Sequence, residues 1–330
     1  MSTTQLSEQL HRRAAPLKRR IALPEATDPR VAGAITRLVR DGLVHPVAVG
    51  SPREIEAALA AAGAPGGVEC LDPVEGAEWA TAALFDARGD RISEAEAQTA
   101  ASTPLTHALL ALRTGRVDGC VAGAVHTTSE VLRGALHLIG PAPGTRTISS
   151  AFYMSLVPPG AKDEVTLTFT DCAVVPEPSV DQLAEIAIEA VRARRKIVGD
   201  EPRVAFLSYA TRGSAAGASV ARVRAALERF RERMPGVAAD GEMQADAALV
   251  PDVARRKASD SPLEGRANLL VFPNLDAANI AYKLVERLAG ARAVGPVLQG
   301  LALPVNDLSR GAREPEVVDA ACVAALLSGG

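Results

Sequence analysis

Gly295-Pro296-Val297-Leu298-Gln299-Gly300-Leu301-Ala302-Leu303 runs without a charge into Pro304-Val305-Asn306-Asp307-Leu308-Ser309-Arg310-Gly311. A helix-patterned segment, Glu316 to Leu327 (EVVDAACVAALL), comes next. The order apolar stretch, polar knot, apolar-periodic stretch reads as buried strand, loop, helix. In an open α/β sheet, chemistry gathers where strands end in such polar groups. A hydroxyl beside a guanidinium suits a phosphate or carboxylate, because Arg presents a planar fork of donors. Ser309 and Arg310 could equally do no more than cap the following helix, and the motif alone leaves both readings open.

Upstream, strand and helix patterns alternate. Arg20 to Pro24 (RIALP) is a short strand, and Asp28-Pro29 suits a helix start, with Asp as N-cap and Pro as first helical residue. Val31 to Val39 is helical, Val44 to Val49 a strand, Pro52 to Ala62 a helix and Val68 to Leu71 a third strand. This alternation predicts βαβ units and a largely parallel sheet. Ala77 to Phe85 is helical and leads into a Gly-containing break that carries Arg88 and Arg91, before a helix start at Ser93.

Val117 to Val125 is a strand of small residues, followed by His126-Thr127-Thr128-Ser129-Glu130 and the helical Val131 to Ile139. Thr127 and Glu130 have the spacing of a capping box. Three hydroxyls at a helix N-terminus, with Arg133 close behind, make an anion cradle, since free N–H groups and the positive dipole end favour phosphate. Gly119 and Gly123 would let a ligand approach the backbone. His126 is either a base or a hydrogen-bonded structural residue. Downstream, Thr147 to Leu156, Val165 to Phe169, Val204 to Tyr209 and Ala267 to Phe272 read as strands, and Val180 to Ala193, Val220 to Arg231 and Asp276 to Leu288 as helices. Lys257 closes a basic patch and Lys283 lies in the last of these helices. Pro141 to Arg146 and Gly295-Pro296 read as hinges.

Composition limits the function classes. At 330 residues the chain is long enough for two domains. A net charge of −3 gives no general attraction to nucleic acid or a membrane surface, and 3% aromatic content argues against base-stacking platforms. No apolar run approaches the roughly 18 residues of a membrane span, and the basic N-terminus, read as a solvated helix, lacks a secretory core. Cys70, Cys120, Cys172 and Cys322 are scattered, which suits buried thiols in a reducing, cytoplasmic setting better than disulfides or a zinc site. Neither G-x-x-x-x-G-K-[ST] nor G-x-G-x-x-G occurs, so nucleotide chemistry has no motif support.

Taken together, several blocks resemble one family, the phosphate acetyl/butyryl transferases, and within it phosphate acetyltransferase. They are Ala122 to Leu136 (AGAVHTTSEVLRGAL), Phe169 to Val174, Gln182 to Ile188, Leu207 to Ser214, Gly241 to Val250, Lys257 to Pro262, Asn268 to Ala289 and Gly295 to Gly311. The resemblance implies an α/β fold of two domains, isocitrate/isopropylmalate dehydrogenase-like, with the active site in the cleft between them, and a homodimer. Domain I would be 1–143 plus 296–330, and domain II 144–295. The implied reaction is reversible acetyl transfer between acetyl phosphate and coenzyme A, giving acetyl-CoA and inorganic phosphate. Coenzyme A would be a substrate, with no permanently bound cofactor and no metal. Longer acyl groups, as in phosphate butyryltransferase, are the close alternative, and a non-catalytic coenzyme A-binding homologue a further one.

By the same resemblance Arg310 and Arg133 match arginines that bind the phosphoryl end or support the transition state, and Ser309 the serine that assists there. Arg88 matches an arginine ahead of a helix, although this chain is one residue shorter just after it. Thr127, Thr128 and Ser129 match the hydroxyl turn of the substrate cleft. His126, Asn306, Asp307, Lys257 and Lys283 complete the expected substrate-binding set. One position departs from the pattern: Glu316 stands where the family places its catalytic aspartate. A carboxylate one methylene longer is expected in the first turn of a helix, where the dipole favours its ionised form. It is read as the base for the thiol proton, the other reading being a helix cap.

Overall fold

The computed structural model of the protein describes residues 5–89, 92–158 and 160–329, so Arg91 and the first four residues of the basic N-terminus lie outside the described residues. The described residues form two compact units, one of 7–143 with 301–329, the other of 144–300 with 5 and 6. The first unit's elements begin with α1 (Gln5–Ala14, of which residues 7–14 belong to this unit), β1 (Arg20–Leu23), α2 (Pro29–Arg40), β2 (His45–Val49), α3 (Pro52–Ala61) and β3 (Glu69–Leu71). They continue with α4 (Ala77–Arg88), α5 (Glu94–Ala101), α6 (Pro104–Arg113), β4 (Gly119–Ala122) and α7 (Thr128–Leu138). The second unit holds β5 (Ser149–Leu156), β6 (Val165–Thr170), α8 (Val180–Ile197), β7 (Arg203–Leu207), α9 (Ala218–Arg233) and β8 (Ala238–Met243). It ends with α10 (Ala245–Leu249), α11 (Pro251–Lys257), β9 (Leu269–Val271), α12 (Leu275–Leu288) and β10 (Arg292–Gln299). The chain then returns to the first unit as β11 (Val305–Asp307) and α13 (Glu314–Leu327).

In the first unit the strands lie in the order β3-β2-β1-β4-β11, all parallel. Parallel strands covered on both faces need apolar side chains, which β1 and β2 supply after their first residues and β4 along its length. Asp28 caps α2 through the Arg30 N–H, with Pro29 opening the helix as expected. One cover is α6, which the sequence reading leaves unassigned. From Leu105 to Leu112 only Thr106 is not fully buried, so no polar face marks its helical period. The N-terminal helix is also less solvated than expected. Leu10 and Ala14 of α1 are buried, and the Ser7 hydroxyl and His11 Nε2 meet the buried Asp319 carboxylate on α13 at 2.7 and 2.8 Å.

The second unit's order is β10-β5-β6-β9-β7-β8. Here the expectation of a parallel sheet holds only in part, because β5 pairs antiparallel with both β10 and β6. Side chains alternate between two cores: Ala205 and Leu207 of β7 face the α10 and α12 side, Val204 and Phe206 the α8 and α9 side. Gly295-Pro296, read as a hinge, instead lies inside β10, at a register break between Val294 and Val297 that accommodates the missing Pro N–H. The division between units falls five residues later, after Gly300, than the expected 295/296 boundary. No described helix is long and apolar enough to cross a membrane.

Candidate functional site

The carboxyl ends of β1, β4 and β11 lie side by side, with Ile21 beside Gly119, Val305 beside Cys120 and Asp307 beside Ala122. The segments leaving these three strands therefore meet at one sheet edge. After β1 comes Glu25, 5% exposed. Its carboxylate accepts from the backbone N–H groups of Gly123, Ala124, Val125 and His126 at 3.1, 2.7, 3.0 and 2.8 Å. His126 Nδ1 adds a fifth contact at 2.7 Å. Successive N–H groups converging on one point make an anion nest, and here the anion is a side chain of the protein itself. Such charge-assisted bonds offset the desolvation of the buried carboxylate.

At the start of α2, Arg30 ties two segments together. Its Nη1 donates to the carbonyls of Arg310 at 2.7 Å and Ala312 at 2.9 Å, and its Nη2 to the carbonyl of Ala124 at 2.8 Å. Asp28 holds the guanidinium from below, and the Arg30 side chain in turn keeps Asp28 under the usual carboxylate range. The turn after β4 and the Ser-Arg-Gly loop after β11 are thus clamped at one edge of one unit. The sequence reading missed Glu25 and Arg30 as site residues. The available signal was a charged Glu placed directly after an apolar parallel strand.

The polar knot itself is less open than expected. Asn306 and Asp307 belong to β11 and are 1% and 2% exposed. Asn306 gives its side-chain N–H to the carbonyl of Ala320, at 2.9 Å, joining β11 to α13. Neither carboxylate oxygen of Asp307 has a partner in hydrogen-bonding geometry among the described residues. Burial pushes its pKa up to about 6, against the opposing influence of the Thr128 hydroxyl and the Leu308 N–H, and Glu25 adds to the rise. Gly123, at φ +105°, is needed for this approach: a Cβ there would meet Asp307 Oδ1 and lie 2.6 Å from the Leu308 nitrogen. Gly119 likewise leaves room for Ile21 and Ala324, whose atoms would lie 3.0 and 3.1 Å from a Cβ. Both glycines serve close packing of the chain on itself, where the sequence reading expected a ligand.

Asp307 carries a stability cost with a defined sign. Below about pH 4 it is protonated in both folded and unfolded chains. As pH rises towards 6 the unfolded chain releases the proton first, so stability falls, by about 3 kcal/mol for a shift from 3.8 to about 6. Asp307→Asn is accordingly expected to raise the melting temperature at pH 7.5 and to leave it nearly unchanged at pH 4. Equal effects at both pH values would contradict a strained carboxylate.

Thr127 and Glu130 form the expected capping box of α7, with Thr127 N–H to Glu130 Oε2 at 2.7 Å and Glu130 N–H to Thr127 Oγ1 at 3.3 Å. The anion cradle is consequently narrower than expected. N–H groups 123 to 126 go to Glu25 and that of Thr127 to Glu130, which leaves those of Thr128 and Ser129. Arg133 is exposed and its guanidinium makes no hydrogen bond among the described residues. Ser309 and Arg310 are exposed too. Ser309 Oγ accepts from the Gly311 N–H at 3.2 Å, while the Arg310 guanidinium bonds no described residue.

Glu316 sits at the third position of α13, after Glu314 and Pro315. Its Oε2 accepts from the Arg313 N–H at 3.0 Å and its Oε1 from Arg313 Nη2 at 2.9 Å, so the carboxylate is engaged as a cap. Arg88 is the last residue of α4, with a buried Nε that has no partner among the described residues. Lys257 and Lys283 lie in the other unit. Lys257 pairs with Asp246 at 2.7 Å and Lys283 bonds Asn279 at 2.8 Å.

Comparison with known proteins adds to this geometry. The sequence profile of the phosphate acetyl/butaryl transferase family matches residues 5–325. A phosphate acetyltransferase of Paracoccus denitrificans is 44% identical, with 97% of this chain and 98% of that protein covered. One of Acetivibrio thermocellus is 41% identical, with 97% of each covered. The crystal structure of a phosphotransacetylase from Streptococcus pyogenes superimposes with a TM-score of 0.92 at 33% identity, covering 99% of both chains. The α/β fold expected from the sequence, related to dehydrogenase-like α/β domains, is shared with that structure. The chain belongs to the phosphate acetyl/butaryl transferase family.

Proposed function

We propose that the protein is a phosphate acetyltransferase, moving an acetyl group reversibly between acetyl phosphate and coenzyme A. The observation that carries this reading is the sheet edge where Arg30 clamps the Ser309-Arg310 loop to the turn that leads into Thr127, Thr128, Ser129 and Arg133. Two arginine side chains with no hydrogen bond to described residues, together with open N–H groups at a helix start, suit the phosphoryl end of the substrate. The chemistry needs a base for the thiol, since the thiolate is the nucleophile, and donors for the charge developing on carbonyl and phosphate. Arg310 and Arg133 are assigned the phosphate, Ser309 a supporting hydrogen bond, and Glu316 the thiol proton. Coenzyme A is a substrate in this reading.

The relatives above are phosphate acetyltransferases, which favours acetyl over butyryl. Comparing kcat/KM for acetyl and butyryl phosphate tests this. Acetyl is expected to lead, by a modest margin, because each methylene in a pocket discriminates by about 1–3 kcal/mol. A preference for butyryl phosphate would contradict the assignment.

A homodimer is the proposed assembly. On α12, Ile280, Leu284 and Leu288 recur every fourth residue and are 58%, 51% and 82% exposed, an apolar stripe of the kind that marks a contact surface. Light scattering should give twice the chain mass, and a monomer at micromolar concentration would remove the proposal.

A further inference from the structure

This inference rests on the phosphate acetyltransferase reading. Acetyl phosphate and a thiol give a thioester and hydrogen phosphate. The proton lost by the thiol is therefore matched by one gained on the departing phosphate oxygen. Without that proton the acetyl phosphate dianion would have to expel a phosphate trianion, so an acid near the phosphate assists as much as a base near the thiol. Arg133 and Arg310 can bind charge but cannot give up a proton near neutral pH.

His126 has the placement and chemistry to supply it. It directly precedes the hydroxyl turn assigned to the phosphate, and its own backbone N–H is the last of the four that bond Glu25. Glu25 Oε1 accepts from the His126 N–H at 2.8 Å and faces the ring's Nδ1 at 2.7 Å, so backbone and ring are fixed by one oxygen. An ionised carboxylate only accepts, which places a proton on Nδ1 and leaves Nε2 as the nitrogen that gains and loses one. Holding one ring nitrogen to define the role of the other is a recurring use of a carboxylate–histidine pair. The His126 side chain is 31% exposed, against 3% for that of Glu25, and Nε2 makes no hydrogen bond among the described residues.

We propose that His126, positioned by Glu25, carries the proton exchanged with the departing phosphate. As the thiolate sulfur bonds the acetyl carbon, the carbon–oxygen bond to phosphate breaks and its electron pair moves onto that oxygen. The oxygen takes the Nε2 proton of the imidazolium and leaves as hydrogen phosphate. The thiol proton rests on Glu316, and transfer through solvent from Glu316 to His126 restores both groups. In the reverse direction neutral Nε2 takes the proton from hydrogen phosphate as it attacks acetyl-CoA. Glu25 is a positioning residue in this scheme. The charged groups facing His126 are Glu25 and, from α7, Glu130, while Glu25 itself faces Arg30 on α2 and Asp307 on β11.

The test compares pH profiles of kcat in both directions for the parent protein, His126→Gln and Glu25→Gln. In the parent, thioester formation should fall on the alkaline side as the imidazolium is lost, and phosphorolysis of acetyl-CoA should fall on the acid side. His126→Gln should lower kcat in both directions by about 100-fold or more and remove those two limbs, with KM for acetyl phosphate little changed. Glu25→Gln should move the limbs along the pH axis without removing them, a result that a merely structural role would not give. If His126→Gln does not fold, His126→Asn gives the same reading. An active parent whose His126 variant loses less than about fivefold in kcat, or keeps both limbs, overturns the inference and leaves the enzyme standing. An inactive parent overturns the function itself.

Discussion

Arg310→Gln is expected to lower kcat for acetyl transfer by about 10²–10³-fold, the range found when one donor to developing charge is removed from an active site. Two features of the structure make this a clean experiment. The Arg310 guanidinium is exposed and bonds no described residue, so its loss should change stability by no more than about 0.5 kcal/mol. The loop around it is held through the Arg310 and Ala312 carbonyls, which any side chain leaves in place for Arg30. The variant should therefore melt with the parent and fail in catalysis. A variant with parental kcat would show that the cation serves only solubility, and a lowered melting temperature would show a structural role. Gln rather than Lys is chosen because Lys would retain a charge while losing the bidentate fork.

Glu316→Gln is the second decisive substitution, with an expected loss in kcat of about 10²-fold or more for removal of a general base. Here one role is seen in the structure and a second is proposed. The carboxylate closes a capping box with Arg313 at the start of α13, and by family resemblance it stands at the base position. Gln also serves at the third helical position of such a box, so the helix should hold while the proton acceptor is lost. Activity and stability then separate the roles. Full activity with unchanged stability would reduce Glu316 to a cap and pass the thiol proton to another group. A large loss of activity with an unchanged melting temperature supports the base.

Much of this architecture was readable in the residues. Asp28-Pro29 opens α2, and Thr127 with Glu130 caps α7, because local capping rules depend on a few neighbouring side chains. Strand and helix alternation gave the α/β class for the same reason. The features that escaped were set by distant partners. α6 is apolar on nearly every side, so it has no period to read, and only the sheet it covers explains it. Glu25 looks like a loop residue until β1 and β4 are paired and four N–H groups 98 to 101 positions away converge on it. Asn306 and Asp307 read as part of a polar loop after the strand, yet they form a strand of their own, paired with β4 and tied to α13, that takes both inside. Gly119 and Gly123 were rightly singled out, but the atoms that approach them belong to the chain.

Asp307 keeps a buried carboxylate with no hydrogen-bond partner among the described residues. A domain optimised for stability alone would put an asparagine or an apolar residue there. Burial raises the pKa of this carboxyl, a stability cost that Asp307→Asn is expected to remove near neutral pH.

Acetyl transfer itself is measured by mixing the purified protein with acetyl phosphate and coenzyme A and recording thioester absorbance. The expected result is a rise in thioester that requires both substrates and reverses when acetyl-CoA and phosphate are supplied instead. A folded protein that forms no thioester from acetyl phosphate would contradict the assignment.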